Sequence, residues 1–183
     1  MAAEARHNSS QGVLRYSIVT SGRRLTAAEV DDVCAAVRLI RAESPIQVCV
    51  SLGLLSESDF RRLKAAGVSR VHCNLETSRN YFPQVCTTHT YDEKIAVIRA
   101  AQAAGLAVCS GGIMGMGETP EDRIDLALTL RDLGINSIPI NFLNPIKGTP
   151  YEHNPLLKDE EKRKIIALFR FMLPGTAIRL AGG

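Results

Sequence analysis

Short apolar runs rich in β-branched residues alternate with amphipathic helical runs along the whole of this chain, and that alternation limits its fold more than any other feature. The strand candidates are Leu14–Thr20, Ile46–Leu52, Arg70–Leu75, Ala107–Ile113, Ile135–Asn141 and Ala177–Leu180. Helix starts are marked between them. Thr26 with Glu29 and Thr90 with Glu93 fit the capping box, and Ser56 with Asp59 is a weaker form of it. Thr119-Pro120-Glu121-Asp122 places a cap, a first-turn proline and then acids. Gly67, Gly105 and Gly134 each follow a helical run, where a left-handed glycine closes a helix. A last helix over roughly Lys158–Phe171 stops before Pro174-Gly175. Such a βαβ pattern requires parallel strands joined by crossover helices, so the fold class is α/β. With roughly 30 residues per unit, 183 residues hold about six βα units, whereas a closed barrel of eight needs ~250. An open doubly wound sheet and part of a barrel both satisfy this. No linker or low-complexity stretch divides the chain, so a single domain over residues 1–183 is expected.

Composition excludes several roles. The net charge is +3, from 22 basic and 19 acidic residues interspersed without blocks, which gives no electrostatic support for nucleic-acid or membrane-surface binding. No apolar stretch approaches the ~20 residues of a membrane span. The first ten residues lack the apolar core of a signal peptide, so the expected location is cytoplasmic. Five cysteines, Cys34, Cys49, Cys73, Cys86 and Cys109, form no CxxC pair, and an odd number argues against a disulfide framework.

In parallel α/β folds the chemistry lies at the C-terminal ends of the strands. The polar residues expected there are Ser17 and Thr20, Cys49 and Ser51, Asn74 and Glu76, Cys109 and Ser110, Asn141 and Asn144, and Arg179. Strand alternation puts Cys49 with Ser51, and Asn74 with Glu76, on one surface. An inward polar group without a partner costs ~1–3 kcal/mol, so this many of them suggest a ligand-lined cavity. Each also has a plain reading. Cys49 and Cys109 resemble buried small hydrophobes, Asn74 and Glu76 could end a strand, and Arg179 could keep its head in water. Cys34 and Cys86 read as structural, and His7 and His153 as surface residues.

Gly111-Gly112-Ile113-Met114-Gly115-Met116-Gly117-Glu118-Thr119-Pro120 carries four glycines from a strand end to a capped helix start. Glycine admits close backbone approach to a flat ligand, and a helix N-terminus favours negative charge. The spacing is neither the Rossmann fingerprint nor a P-loop. A tight glycine turn would look the same locally.

Val108–Glu118 closely resembles the fifth-strand motif of the biotin synthase family of radical S-adenosylmethionine (SAM) enzymes. So do Cys73-Asn74-Leu75-Glu76-Thr77-Ser78 with Thr87–Tyr91, Pro139–Leu143 with Lys147–Pro150, and Ile178-Arg179-Leu180. The resemblance covers essentially the whole chain. It implies a partial TIM-type (βα) barrel with strands two to seven of eight. It implies a sulfurtransferase that cleaves SAM at a 4Fe–4S cluster, takes hydrogen from dethiobiotin, and inserts sulfur from an auxiliary iron–sulfur cluster. By the same resemblance Asn74 and Glu76 bind the SAM ribose, which suits a carboxylate facing two hydroxyls. Ile113 and the glycines around it, Gly112 and Gly115, pack against adenine, Glu118 is a further SAM-binding residue, and His89 lies near the methionine carboxylate. Asn141 and Ser137 hold the ureido ring of dethiobiotin. Cys49, Cys109 and Arg179 are auxiliary-cluster ligands, with Ser17 standing where the family has a further cysteine, a departure from a conventional 2Fe–2S set. A reducing donor such as flavodoxin and a homodimer complete the implied partners.

The sequence contains no CxxxCxxC, the motif that holds the family's 4Fe–4S cluster. The sequence reads as a truncated chain without the first and eighth strands, inactive on its own. Two other readings stay open: a related radical enzyme of the hydrogenase maturase or methylornithine synthase type, and a non-catalytic SAM-binding remnant.

Overall fold

A computed structural model describes residues 1–181; Gly182 and Gly183 of the expected domain lie outside the described residues. The elements run α1 (Ala2–Ser10), β1 (Arg15–Val19), α2 (Ala27–Glu43), β2 (Gln47–Ser51), α3 (Glu57–Ala66), β3 (Val68–His72), α4 (Phe82–Val85), α5 (Tyr91–Ala103), β4 (Ala107–Cys109), β5 (Gly112–Met114), α6 (Pro120–Asp132), β6 (Ser137–Phe142), α7 (Asp159–Met172) and β7 (Ala177–Leu180). No helix among the described residues is long and apolar enough to cross a membrane.

The helix starts form as their side chains dictate. Thr26 and Thr119 each accept from the third-position amide while Glu29 and Asp122 return the bond, so both boxes are complete. Ser56 with Asp59 is complete too, because the shorter acid still reaches the Ser56 amide at 3.1 Å. Gly67 closes α3 in the left-handed conformation with φ 112°. α7 begins at Lys158 without a side-chain cap and carries Asp159, Glu160 and Glu161 in its first turn, where acids meet the helix dipole.

Two compact units are present. The first comprises Met1–Cys73 and Glu93–Val108. Its sheet has the order β1-β2-β3-β4, with β1 and β2 parallel in register Ser17↔Cys49 and β2 parallel to β3 with Cys49↔Arg70. Val30, Val37, Ile40, Val48, Val50, Phe60 and Leu63 form its buried core. The second comprises Asn74–Asp92 and the chain from Cys109 onward. Its sheet has the order β5-β6-β7, all parallel, with Ile113↔Asn141 and Pro139↔Arg179. Ile138 and Ile140 are fully buried on one face of β6, which turns Ser137, Pro139 and Asn141 to the other.

The expected run Arg70–Leu75 is not one strand. β3 ends at His72, because the amides of Leu75 and Glu76 turn to the carbonyl of Gly111, at 3.0 and 3.1 Å. Ala107–Ile113 is broken as well, into β4 and β5. Between them Ser110 N–H donates to Ser137 O at 3.2 Å and Gly111 N–H to Asn74 Oδ1 at 3.0 Å. The backbone of the break is therefore bonded, but to partners distant in sequence.

Candidate functional site

The second unit builds its site around that break. Asn74 accepts from the Gly111 amide, Gly111 O accepts from Leu75 and Glu76, and Ile113 N–H donates to Glu76 O at 2.9 Å. The 74–76 loop is thus laced to 111–113. Strand alternation does not bring Asn74 and Glu76 together, since both lie beyond β3. A left-handed Glu76 does so, with φ 69°, the one non-glycine at positive φ among the described residues. Such a conformation costs about 1–3 kcal/mol and persists where surrounding bonds over-determine it. Asn74 Nδ2 then lies 3.5 Å from Glu76 Oε2.

Sheet register supplies the other side. Asn141 is the register partner of Ile113, and Arg179 that of Pro139, so Ile113, Ser137, Asn141 and Arg179 share one face. Cys109 joins them by contact. Its Sγ accepts from Arg179 Nη2 at 2.9 Å and from Ser137 Oγ at 3.8 Å. Asn141 Oδ1 and Ser110 Oγ are buried without a hydrogen-bond partner. Buried polar atoms are nearly always paired, so an orphaned carbonyl oxygen on the site's face is a place for a ligand N–H.

The glycine run continues the site. Gly115 and Gly117 have φ 102° and 115°, and their amides donate to Glu118 Oε1 at 2.8 Å and Oε2 at 3.2 Å. Glu118, its side chain 2% exposed, also takes Arg123 Nε at 2.8 Å. Its carboxylate therefore shapes the loop from within. Tyr81 Oη donates to Met116 O and Asn154 Nδ2 to Gly115 O, both at 3.0 Å. Burial, with the Glu118 and Asp122 carboxylates nearby, pushes the Tyr81 phenol above its ordinary value and keeps it a donor at neutral pH.

Two further expected residues have surroundings of their own. His89 Nδ1 sits 3.0 Å from Thr88 Oγ1 and 3.4 Å from Cys86 Sγ, with its ring edge-on to Phe82. Cys49 belongs to the first unit, between Ser17 and Arg70 in register. Among the described residues no three His, Cys, Asp or Glu gather as a metal group. Tyr81, Arg123 and Asn154 were not singled out by sequence. Asn154 carried a faint signal in its Asn-Pro step, and Tyr81 carried none.

Ser78 anchors the loop to α6. Its Oγ donates to Asp122 Oδ1 at 2.5 Å and accepts from Tyr81 N–H at 2.9 Å. Burial alone would raise the Asp122 carboxyl, but the bonds from Ser78 and Thr119 outweigh it and hold the pKa below the usual carboxylate value. A depressed carboxyl stabilises the fold above the unfolded pKa, and that contribution is lost as pH falls through the folded one. Ser78→Ala is therefore expected to lower the thermal midpoint most at neutral pH. The gap to the parent should close as pH falls from about 5 toward 2. A pH-independent gap would exclude the linkage.

The profile of the Radical SAM superfamily matches residues 1–130, and that of the Biotin and Thiamin Synthesis associated domain matches residues 139–183. The chain is 55% identical to "Biotin synthase 2" of Corynebacterium diphtheriae over 183 residues, covering 100% of this chain and 56% of that protein. It is 59% identical to biotin synthase of Brachyspira hyodysenteriae over 174 residues, covering 95% of this chain and 52% of that one. The chain thus spans about half the length of the curated relatives it matches. Among solved structures, methylornithine synthase superposes with a TM-score of 0.83 at 18% identity, over 100% of this chain and 57% of that one. The FeFe-hydrogenase maturase HydG of Carboxydothermus hydrogenoformans gives 0.82 at 18%, over 98% and 44%. These two likenesses concern the fold, a parallel α/β architecture of the radical SAM type.

Proposed function

The chain belongs to the radical SAM superfamily, and from that membership we propose that its activity is that of a biotin synthase, a sulfurtransferase converting dethiobiotin to biotin. The observation that carries the reading is the orphaned Asn141 Oδ1 beside Ile113, on a strand whose neighbour is laced to Asn74 and Glu76. Identity of 55–59% to biotin synthases against 18% to methylornithine synthase and HydG favours it over those activities.

Bound SAM and iron–sulfur clusters would supply hydrogen abstraction and sulfur in this reaction. The chain's own residues fit the nucleotide. Glu76 offers a carboxylate to two ribose hydroxyls, with Asn74 holding the loop beside it. Gly112 and Gly115 let the backbone approach a flat ring next to Ile113. Asn141 Oδ1 would accept an N–H from the ureido ring, with Ser137 and Arg179 on the same face. For an auxiliary cluster the fit is partial. In the second unit Cys109, with Arg179 on its sulfur, would be a ligand; in the first unit, taken by itself, the register partner of Cys49 is Ser17, an oxygen where a thiolate set would have sulfur. A cytoplasmic setting, a reducing partner such as flavodoxin and a second copy of the chain belong to the same reading.

Calorimetric titration of dethiobiotin in the presence of SAM tests it. Binding is expected, and Asn141→Leu should weaken it by about tenfold, the equivalent of roughly 1.4 kcal/mol for one buried hydrogen bond. No heat with the parent chain, or equal affinity in the variant, would overturn the reading.

A further inference from the structure

Four backbone groups of the glycine loop are held by side chains from three separate segments. Glu118 takes the amides of Gly115 and Gly117 from the loop's own end. Tyr81, from the stretch that follows the Asn74–Ser78 loop, donates to the Met116 carbonyl, and Asn154, from the turns after β6, donates to the Gly115 carbonyl. The fit is close as well as bonded. A Cβ on Gly117 would meet the Tyr81 hydroxyl, and one on Gly115 would press on Leu157 and Leu143, at 3.3 and 3.4 Å.

A glycine-rich loop has more conformational freedom to lose on binding than any other sequence, and immobilising it beforehand converts that loss into affinity. Within the loop only Glu118 does so, and it holds amides alone, which leaves the Gly115 and Met116 carbonyls to side chains from elsewhere in the chain. We propose that Tyr81 and Asn154 are positioning residues that fix the Gly115–Gly117 backbone in the one shape that receives the nucleotide of SAM. The inference rests on the nucleotide assignment made above and goes beyond it by naming what orders that loop. Neither residue need touch the ligand. Tyr81 acts through the Met116 carbonyl and Asn154 through that of Gly115.

The test uses the full chain with Tyr81→Phe, which deletes one hydroxyl, and Asn154→Leu, which deletes the donor at similar volume. Three quantities are read: SAM affinity by calorimetry, amide hydrogen exchange at Gly115–Gly117, and the thermal midpoint. Exchange at these amides is expected to quicken at least tenfold in both variants, and SAM affinity to fall five- to twentyfold, with the midpoint within a few degrees of the parent. Asn154→Gln, which keeps a donor, should recover part of the affinity. Unchanged affinity and exchange with a lowered midpoint would mark a merely structural role and overturn the proposal. A parent chain that takes up no SAM would instead overturn the functional reading, and the nucleotide role of the loop with it. The exchange measurement would still show whether the two side chains order the loop.

Discussion

Arg123→Met is expected to lower the unfolding free energy by about 3–5 kcal/mol, as breaking a buried ion pair does when one charge is left behind. Arg123 and Glu118 are 8% and 2% exposed at their side chains and meet at 2.8 Å. Removing the guanidinium leaves the Glu118 carboxylate buried with two loop amides and no counter-charge. The loss reaches beyond α6, because the same carboxylate folds the glycine loop. Arg123 also pairs with Glu161 at 2.8 Å, but Glu161 is 45% exposed and can return to water. Glu161→Gln is therefore expected to cost under about 1 kcal/mol. Urea unfolding of the two variants checks both statements. Equal losses, or a loss below about 1 kcal/mol for Arg123→Met, would mean that burial does not set the strength of this pair.

Gly112→Ala is expected to be nearly as damaging, by about 3 kcal/mol. A Cβ at Gly112 would collide with the Glu76 carbonyl, a rigid backbone atom, and would press on Leu126 at 2.9 Å. The bond from Ile113 N–H to Glu76 O cannot survive that separation, and the left-handed conformation of Glu76 loses its support. The variant should therefore lose SAM binding together with stability. Gly134→Ala is a control, since its Cβ would meet nothing within 4 Å, although its φ of 66° still carries strain. Calorimetry and thermal unfolding distinguish the two. Retained SAM affinity in Gly112→Ala would show that the 76–112 contact does not hold the site.

The sequence makes the order of the main elements legible because several helices announce themselves locally. Thr26, Ser56 and Thr119 cap where their hydroxyls reach the third amide, and Gly67 ends α3 by a backbone conformation of its own. The break at Ser110–Gly111 is not legible, because its cause is tertiary. An Asn74 side chain and a Ser137 carbonyl, 37 and 27 positions away, take over the strand's hydrogen bonds. Asn74 and Glu76 do come within 3.5 Å of each other, but not by the alternation that sequence suggests. Strand alternation does not apply past His72, and the left-handed turn that joins them has no glycine to betray it. Ile113, Ser137, Asn141 and Arg179 share a face because strand parity is a local property once the sheet is parallel. Tyr81 is invisible beforehand and Asn154 nearly so, since a residue that binds a distant carbonyl leaves no periodic trace.

The central claim is that Glu76, Ile113 and Asn141 border one ligand-binding face of the second unit. A crystal structure of the chain with both SAM and dethiobiotin tests it most directly. The account predicts the ribose hydroxyls on the Glu76 carboxylate, adenine against Ile113, and a ureido N–H on Asn141 Oδ1. Ligands seated elsewhere, with Asn141 Oδ1 still unpartnered, would contradict it.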